Sequence, residues 1–257
     1  MKTLGVTYDN VLKISKQNNY TISNALNLLQ LNGYATIDID YDLILKDIGV
    51  LSAVYKNGFA ISSVLLKSNL TSQLNVIKEI NAIDFCLHYN LNNIVIMLDD
   101  FSVDELSLSI LKKNLRRIVK YASNFNVKIS IKNSYNTNNI YSQEMLLDLV
   151  KSVKGLLISL DVLAFYKANN KPLTCEDAYI NYLNKVYLND QIINGNTIKY
   201  CPLFNGMTGV LENLKNFKKL DNSVDFAIFS ILDNCEYEEI LINSALNFLM
   251  EINYGQD

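Results

Sequence analysis

The sequence predicts an α/β chain folded as a (β/α)8 TIM barrel, and three observations carry that expectation. Eight short β-branched runs alternate strictly with longer amphipathic stretches over 257 residues, a length such barrels commonly take as one unit. No Pro-rich, Ser/Gly-rich or charged linker interrupts the chain, so residues 1–257 read as one domain. The first strand runs into Thr7-Tyr8-Asp9-Asn10, which is not the glycine-rich turn that opens a doubly wound nucleotide-binding sheet.

Leu4 to Thr7 forms the first strand. A helix follows Ser23, read as its N-cap, with Ala25, Leu26, Leu29 and Leu31 as its apolar stripe and Asn32-Gly33 as its stop. Tyr34 to Asp40 alternates as the second strand, Leu43 to Tyr55 is helical and closes on Asn57-Gly58, and Phe59 to Leu66 is the third strand. Leu74 to Tyr89 is the next helix, ended by Asn90, a residue that tolerates the left-handed region; Ile94 to Leu98 is the fourth strand. From Val103 to Asn124 an apolar side opposes Lys112, Lys113, Arg116, Arg117 and Lys120, which read as a solvated helix face.

Val127, Ile129 and Ile131 alternate with polar residues to make the fifth strand, which stops at Lys132-Asn133. In such a barrel the C-terminal strand ends carry the chemistry, so Lys132 becomes the central candidate. Helix 143–153, strand 156–161, helix 175–182 and strand 185–188 continue the alternation. A long irregular connection over 189–206 then leads into a helix from Gly209 to Leu220, strand 224–231 and a last helix from Tyr237 to Ile252.

Composition bounds the partners. With 49% apolar residues the chain can bury a large core, and a net charge of -3 leaves no basic footprint for nucleic acid or anionic membrane. A small molecule fits better, and a homodimer is compatible with the sequence. Cys86, Cys175, Cys201 and Cys235 show no CxxC spacing and read as reduced thiols of a cytoplasmic protein. Neither a signal peptide nor an apolar run of about 18 residues is present. His88, the only histidine, sits on a helix away from the strand ends, so no His-based triad or metal site is expected.

Taken together, six segments resemble the xylose isomerase-like TIM barrels, in particular the sugar phosphate isomerase/epimerase group. Ala25-Leu26 through Gly33-Tyr34 to Asp38 is similar to that family's "aL....aGy.gvE" entry, and Ala82 through Asn90 to Ile96 to its "A..LGa..vvv" helix and strand. Leu115 through Ala122 to Lys132-Asn133 is similar to its "A...gv.l.lEN" segment. Leu157 to Asp161 matches its "fD..H", Val186 to Asp190 its "vHl.D", and Pro202 to Gly206 its "p.G.G".

The resemblance implies a divalent metal held at the barrel mouth by Glu, Asp, His and Glu from four strand ends. The metal polarises a carbonyl while the two glutamates move a proton at the neighbouring carbon. In this chain the first Glu falls on Lys132, the Asp is kept as Asp161, the His falls on Tyr187, and the second Glu falls near Phe229 or Ser230. The family's further His, three residues after the Asp, is Ala164. A protonated lysine cannot donate to a metal and repels it, so neither metal nor other cofactor is expected.

The candidate catalytic residues are therefore Lys132, with its ammonium in the metal's place, Asp161 as its partner, and Tyr187 as a hydrogen-bond donor or acid. A plain mouth salt bridge and a Schiff-base lysine remain open alternatives for Lys132. Asp38, Asn133, Asp190 and Ser230 are candidate ligand contacts. Lys199 and the turn Asn205 to Gly209 are candidates for phosphate. Two functions follow: a metal-independent isomerase or epimerase of a small sugar or sugar phosphate, or a non-catalytic barrel that binds a carbohydrate or a protein partner.

Overall fold

Parallel strands with apolar residues on both faces need helices outside and packed side chains within, and here the sheet closes to provide both. A computed structural model describes residues 3–71, 76–98, 104–134, 143–169, 181–194, 197–218, 224–231 and 235–254. The barrel strands are β1 (Leu4–Thr7), β2 (Tyr34–Asp40), β3 (Ala60–Ser68), β4 (Asn93–Leu98), β5 (Lys128–Lys132), β6 (Leu157–Asp161), β7 (Leu183–Tyr187) and β10 (Asp225–Ile228). Each pairs in parallel with its neighbour, and β10 returns to β1 to close the ring. Between β7 and β10 an antiparallel hairpin of β8 (Asp190–Asn194) and β9 (Thr197–Cys201) stands apart from the barrel.

The helices are α1 (Tyr8–Asn18), α2 (Ile22–Leu31), α3 (Tyr41–Lys46), α4 (Gly49–Lys56), α5 (Val76–His88), α6 (Glu105–Ser123), α7 (Gln143–Ser152), α8 (Val162–Asn169), α9 (Val210–Lys218) and α10 (Tyr237–Tyr254). Their buried stripes and the outward strand residues make one apolar layer, in which Ile37, Ile94, Ile96, Leu115, Ile118 and Phe226 are almost wholly buried. A separate small cluster of Leu65, Val95, Tyr187 and Ala227, with Met97 and Phe229 packed on it, lies inside the ring. Among the described residues no helix is long and apolar enough to cross a membrane.

Several boundaries differ from expectation. Helix α1 fills a stretch to which the sequence assigns no element; Tyr8, Val11 and Ile14 are on its buried face. Thr21, not Ser23, caps α2, accepting from the Asn24 amide at 3.1 Å. The helix expected over 43–55 is two, α3 and α4, because the chain turns extended at Asp47. Gly33, Gly58 and Asn90 do take the expected positive φ angles, of 91°, 77° and 55°. The hairpin β8–β9 replaces the irregular connection. The expected helix 175–182, with Cys175, falls outside the described residues up to residue 180.

Candidate functional site at the barrel mouth

Strand β5 ends in Lys132 and β6 in Asp161, and the side-chain alternation of both strands turns these two residues into the ring. Lys132 Nζ donates to Asp161 Oδ2 at 2.6 Å, with both side chains nearly buried. The other carboxylate oxygen, Oδ1, accepts from the Ala164 amide at 2.9 Å, capping the first turn of α8. Asp161 is thus held from two sides, by an ammonium and by a helix N-terminus.

Aromatic rings enclose the ammonium. Phe229, just past β10, places its ring centroid 4.0 Å from Lys132 Nζ, and Tyr187, the last residue of β7, places its own at 5.8 Å. Asn133 ties β5 to β6: its Nδ2 donates to the Asp161 carbonyl at 2.9 Å, and its Oδ1 accepts from the Asp161 amide at 2.6 Å.

The mouth holds two cavities that share Met97, Phe229 and Ser230 as a common wall. The smaller, of about 200 Å³, is bounded by Lys132, Asn133, Asp161, Lys167, Asn189 and Tyr200 among others. The larger, of about 690 Å³, is bounded by Thr7, Asp9, Lys13, Asp38, Asp40 and Lys67 among others. Ser230 stands between them, accepting from Lys13 Nζ at 2.9 Å and donating to Asp9.

Beneath the mouth lies a second lysine–aspartate pair that the sequence reading passed over. Lys185, wholly buried, donates to Asp38 Oδ1 at 2.6 Å, to Ser62 Oγ at 2.8 Å and to Ser63 Oγ at 3.2 Å. Below it Ser62 reaches Asp225, while Asn184, Asn93 and Ser63 form a chain of side-chain bonds at 2.8 and 2.9 Å. The signal was in the sequence: a lysine inside a strand has to face the ring or the helix layer, and either way needs a buried partner. Burial outweighs the lysine's pull on Asp38 and leaves its pKa raised.

The expected site residues divide accordingly. Lys132, Asn133 and Asp161 border the smaller cavity, Asp38 the larger, and Ser230 both. Tyr187 does not fit an acid that touches a ligand: it is fully buried under Lys132 and Phe229, and burial next to Asp38 pushes its pKa well above 10.0. Asp190 is likewise spent within the chain. Its carboxylate accepts from the amides of Gln191, Phe204, Gly206 and Thr208 at 3.0 to 3.2 Å and from the Thr208 hydroxyl at 2.7 Å. The turn expected to cradle phosphate has given those amides away, and Met207 donates to the Gln191 carbonyl. Lys199 and Asn205 are exposed on the hairpin and its following turn, outside the residues that bound either cavity.

A divalent metal does not fit this donor set. Where the resemblance implies four ligands, Asp161 is the one carboxylate, and an ammonium already occupies it. Among the described residues no three His, Cys, Asp or Glu side chains gather to hold a metal.

The architecture is shared with solved structures. A sugar phosphate isomerase/epimerase from Parabacteroides distasonis superposes with a TM-score of 0.72 at 16% identity, covering 100% of this chain and 96% of that one. D-Allulose 3-epimerase from a Methylomonas species, solved with D-allulose, gives 0.72 at 13% identity over 98% of both chains. A xylose isomerase-like TIM barrel protein from Mycobacterium smegmatis, solved with magnesium, gives 0.68 at 11%, covering 91% and 88%. No protein-family model matches the sequence, and no curated protein matches it significantly. The chain has the fold of the xylose isomerase-like TIM barrels.

Proposed function

We propose that this barrel binds a small sugar or sugar phosphate at its mouth, using the Lys132 ammonium where the family resemblance places a divalent ion. The observation that carries the reading is the 2.6 Å Lys132–Asp161 pair on the wall of a cavity. Asp161 fixes the ammonium, which also donates to the Asn133 carbonyl at 3.4 Å and keeps its third N–H for a carbonyl or hydroxyl oxygen. Phe229 covers one side and lowers the local dielectric, which strengthens that contact. No nucleic acid or membrane partner is part of the reading, and the buried thiols of Cys86 and Cys201 suit the cytoplasm.

Whether proton transfer follows binding depends on a base. The position that resembles the family's second glutamate holds Phe229 or Ser230, and Asp161 is engaged on both oxygens. That favours a second reading, a barrel that binds carbohydrate without turning it over. One experiment separates them: incubate the protein with D-allulose, D-fructose and D-fructose 6-phosphate in D2O, with and without Mn2+, and follow binding and deuterium uptake by NMR. Binding that disappears in the charge-free variant Lys132→Met/Asp161→Asn supports the ammonium site. Deuterium beside the carbonyl makes the protein an isomerase or epimerase, and binding without it makes it a lectin-like barrel. Ketose binding that survives the double variant would refute the site.

A further inference from the structure

We propose that Thr7 and Asp38 form a separate subsite that recognises hydroxyl groups of a polyhydroxylated ligand in the larger mouth cavity. The two residues are register partners across β1 and β2, each is about 1% exposed, and both border that cavity. Thr7 Oγ1 and Asp38 Oδ2 are buried polar atoms with no hydrogen-bond partner among the described residues. Such atoms are costly to fold around, and a pair of them on one cavity wall is the mark of a ligand contact.

The threonine is the more telling of the two. It occupies the N-cap position of α1 with extended backbone angles of -76° and 144°, where its hydroxyl would ordinarily accept from the first turn, yet it makes no capping bond. Thr21, Asp40 and Asp104 do cap α2, α3 and α6. The Thr7 hydroxyl therefore forgoes a local partner, in a residue that borders the cavity.

Lys185 orients the aspartate from below by holding Oδ1, which leaves Oδ2 as an acceptor in a fixed direction. Tyr187 lies near enough to influence Asp38, but its hydroxyl makes no hydrogen bond of regular geometry and is itself without a partner among the described residues. An acceptor-only carboxylate oxygen beside a hydroxyl that can give or take suits two neighbouring O–H groups, as in a vicinal diol. Four aspartates and three lysines border the cavity, a near balance of charge that suits a neutral polyol better than a phosphate. The subsite extends the proposed function and rests on it only in taking the ligand to be polyhydroxylated.

Xylitol is the probe, because it has vicinal hydroxyls and lacks the ketose carbonyl, and the response is read at residues 7 and 38 rather than at Lys132. Titrated into the full chain, it is expected to shift the amide resonances of residues 7 and 38 saturably. Thr7→Ser, which keeps the hydroxyl, should preserve the response, and Thr7→Val, which keeps the shape, should weaken binding about tenfold, the worth of roughly one hydrogen bond. Because the hydroxyl has no partner in the folded chain, Thr7→Val should melt at or above the wild-type temperature. Absence of a saturable response at residues 7 and 38, equal binding by Thr7→Val, or a lower melting temperature for Thr7→Val would each overturn the subsite. A failure of the Lys132 reading would leave the xylitol response untouched.

Discussion

Lys132 and Lys185 are the same functional group in the same ring, and their surroundings give them different work. Lys185 has no exposure and spends its donors on Asp38, Ser62 and Ser63. Lys132 borders a cavity and has one carboxylate, a long bond to the Asn133 carbonyl and the face of a ring. Removing either lysine alone strands a buried carboxylate, at a cost of about 3–5 kcal/mol, whereas neutralising both partners of a pair removes most of that penalty. Urea denaturation should accordingly find Lys132→Met strongly destabilised and Lys132→Met/Asp161→Asn closer to wild type; equal losses for the two would mean that the pair contributes no coupling.

Glu79 is a residue-scale case with a pH signature. It lies buried in the first turn of α5, takes a hydrogen bond from Ser68, and has its pKa raised from 4.5 chiefly by burial. The folded chain therefore holds this proton more tightly than the unfolded chain does. This group's contribution to stability is full below pH 4.5 and is lost as pH rises through the higher folded value. Glu79→Gln stays neutral throughout, so its stability relative to wild type should improve between about pH 4 and pH 7. A difference that stays flat or runs the other way in thermal melts would place the charged form as the favoured one.

At the scale of elements, the β8–β9 hairpin depends on Asp190, whose five hydrogen bonds collect the hairpin start and the turn up to Thr208. A Cβ at Gly206 would stand 2.1 Å from Asp190 Oδ1 and 2.6 Å from the Gln191 carbonyl, too close for either to remain. Gly206→Ala should thus displace the carboxylate and cost on the order of 2 kcal/mol or more, through overpacking and lost charge-assisted bonds. Limited proteolysis should find new cleavage within residues 190–209, and an unchanged digestion pattern would show that the hairpin holds without this contact. The hairpin itself was legible. Asn194-Gly195-Asn196 lies between Ile192-Ile193 and Thr197-Ile198, a strong short-range hairpin signal, but the alternation of strand and helix leaves no place for it, so the connection reads as irregular. Helix α1 escapes the sequence for another reason: only Tyr8, Val11 and Ile14 of its apolar residues are buried, too thin a stripe to stand out without the barrel beside it.

For the whole molecule, the repeating pattern of β-branched runs and amphipathic helices made the closed barrel readable, and the ring closes as that pattern requires. The mouth was readable in part. Strand ends at Lys132 and Asp161 follow from alternation and meet as expected, while sequence does not tell that Asp190 spends its carboxylate on nearby amides or that Tyr187 lies wholly buried beneath Phe229. The polar lower ring, with Lys185 at its centre, could be read only once partners from β2 and β3 were known. That ring is also a stability liability shared by the whole fold. Lys185→Met should destabilise the barrel by about 3–5 kcal/mol by stranding Asp38, with much of the loss recovered in Lys185→Met/Asp38→Asn. Equal urea midpoints for the single and double variants would show the pair to be energetically idle.

An ammonium, held by Asp161 and covered by Phe229, is proposed to stand where the family resemblance places a divalent ion. Titrating Mn2+ into the chelator-treated protein by calorimetry, with metal content of the dialysed product as a check, tests it most directly. The account predicts no stoichiometric binding to wild type. One tightly bound equivalent per chain, abolished by Asp161→Asn, would contradict it.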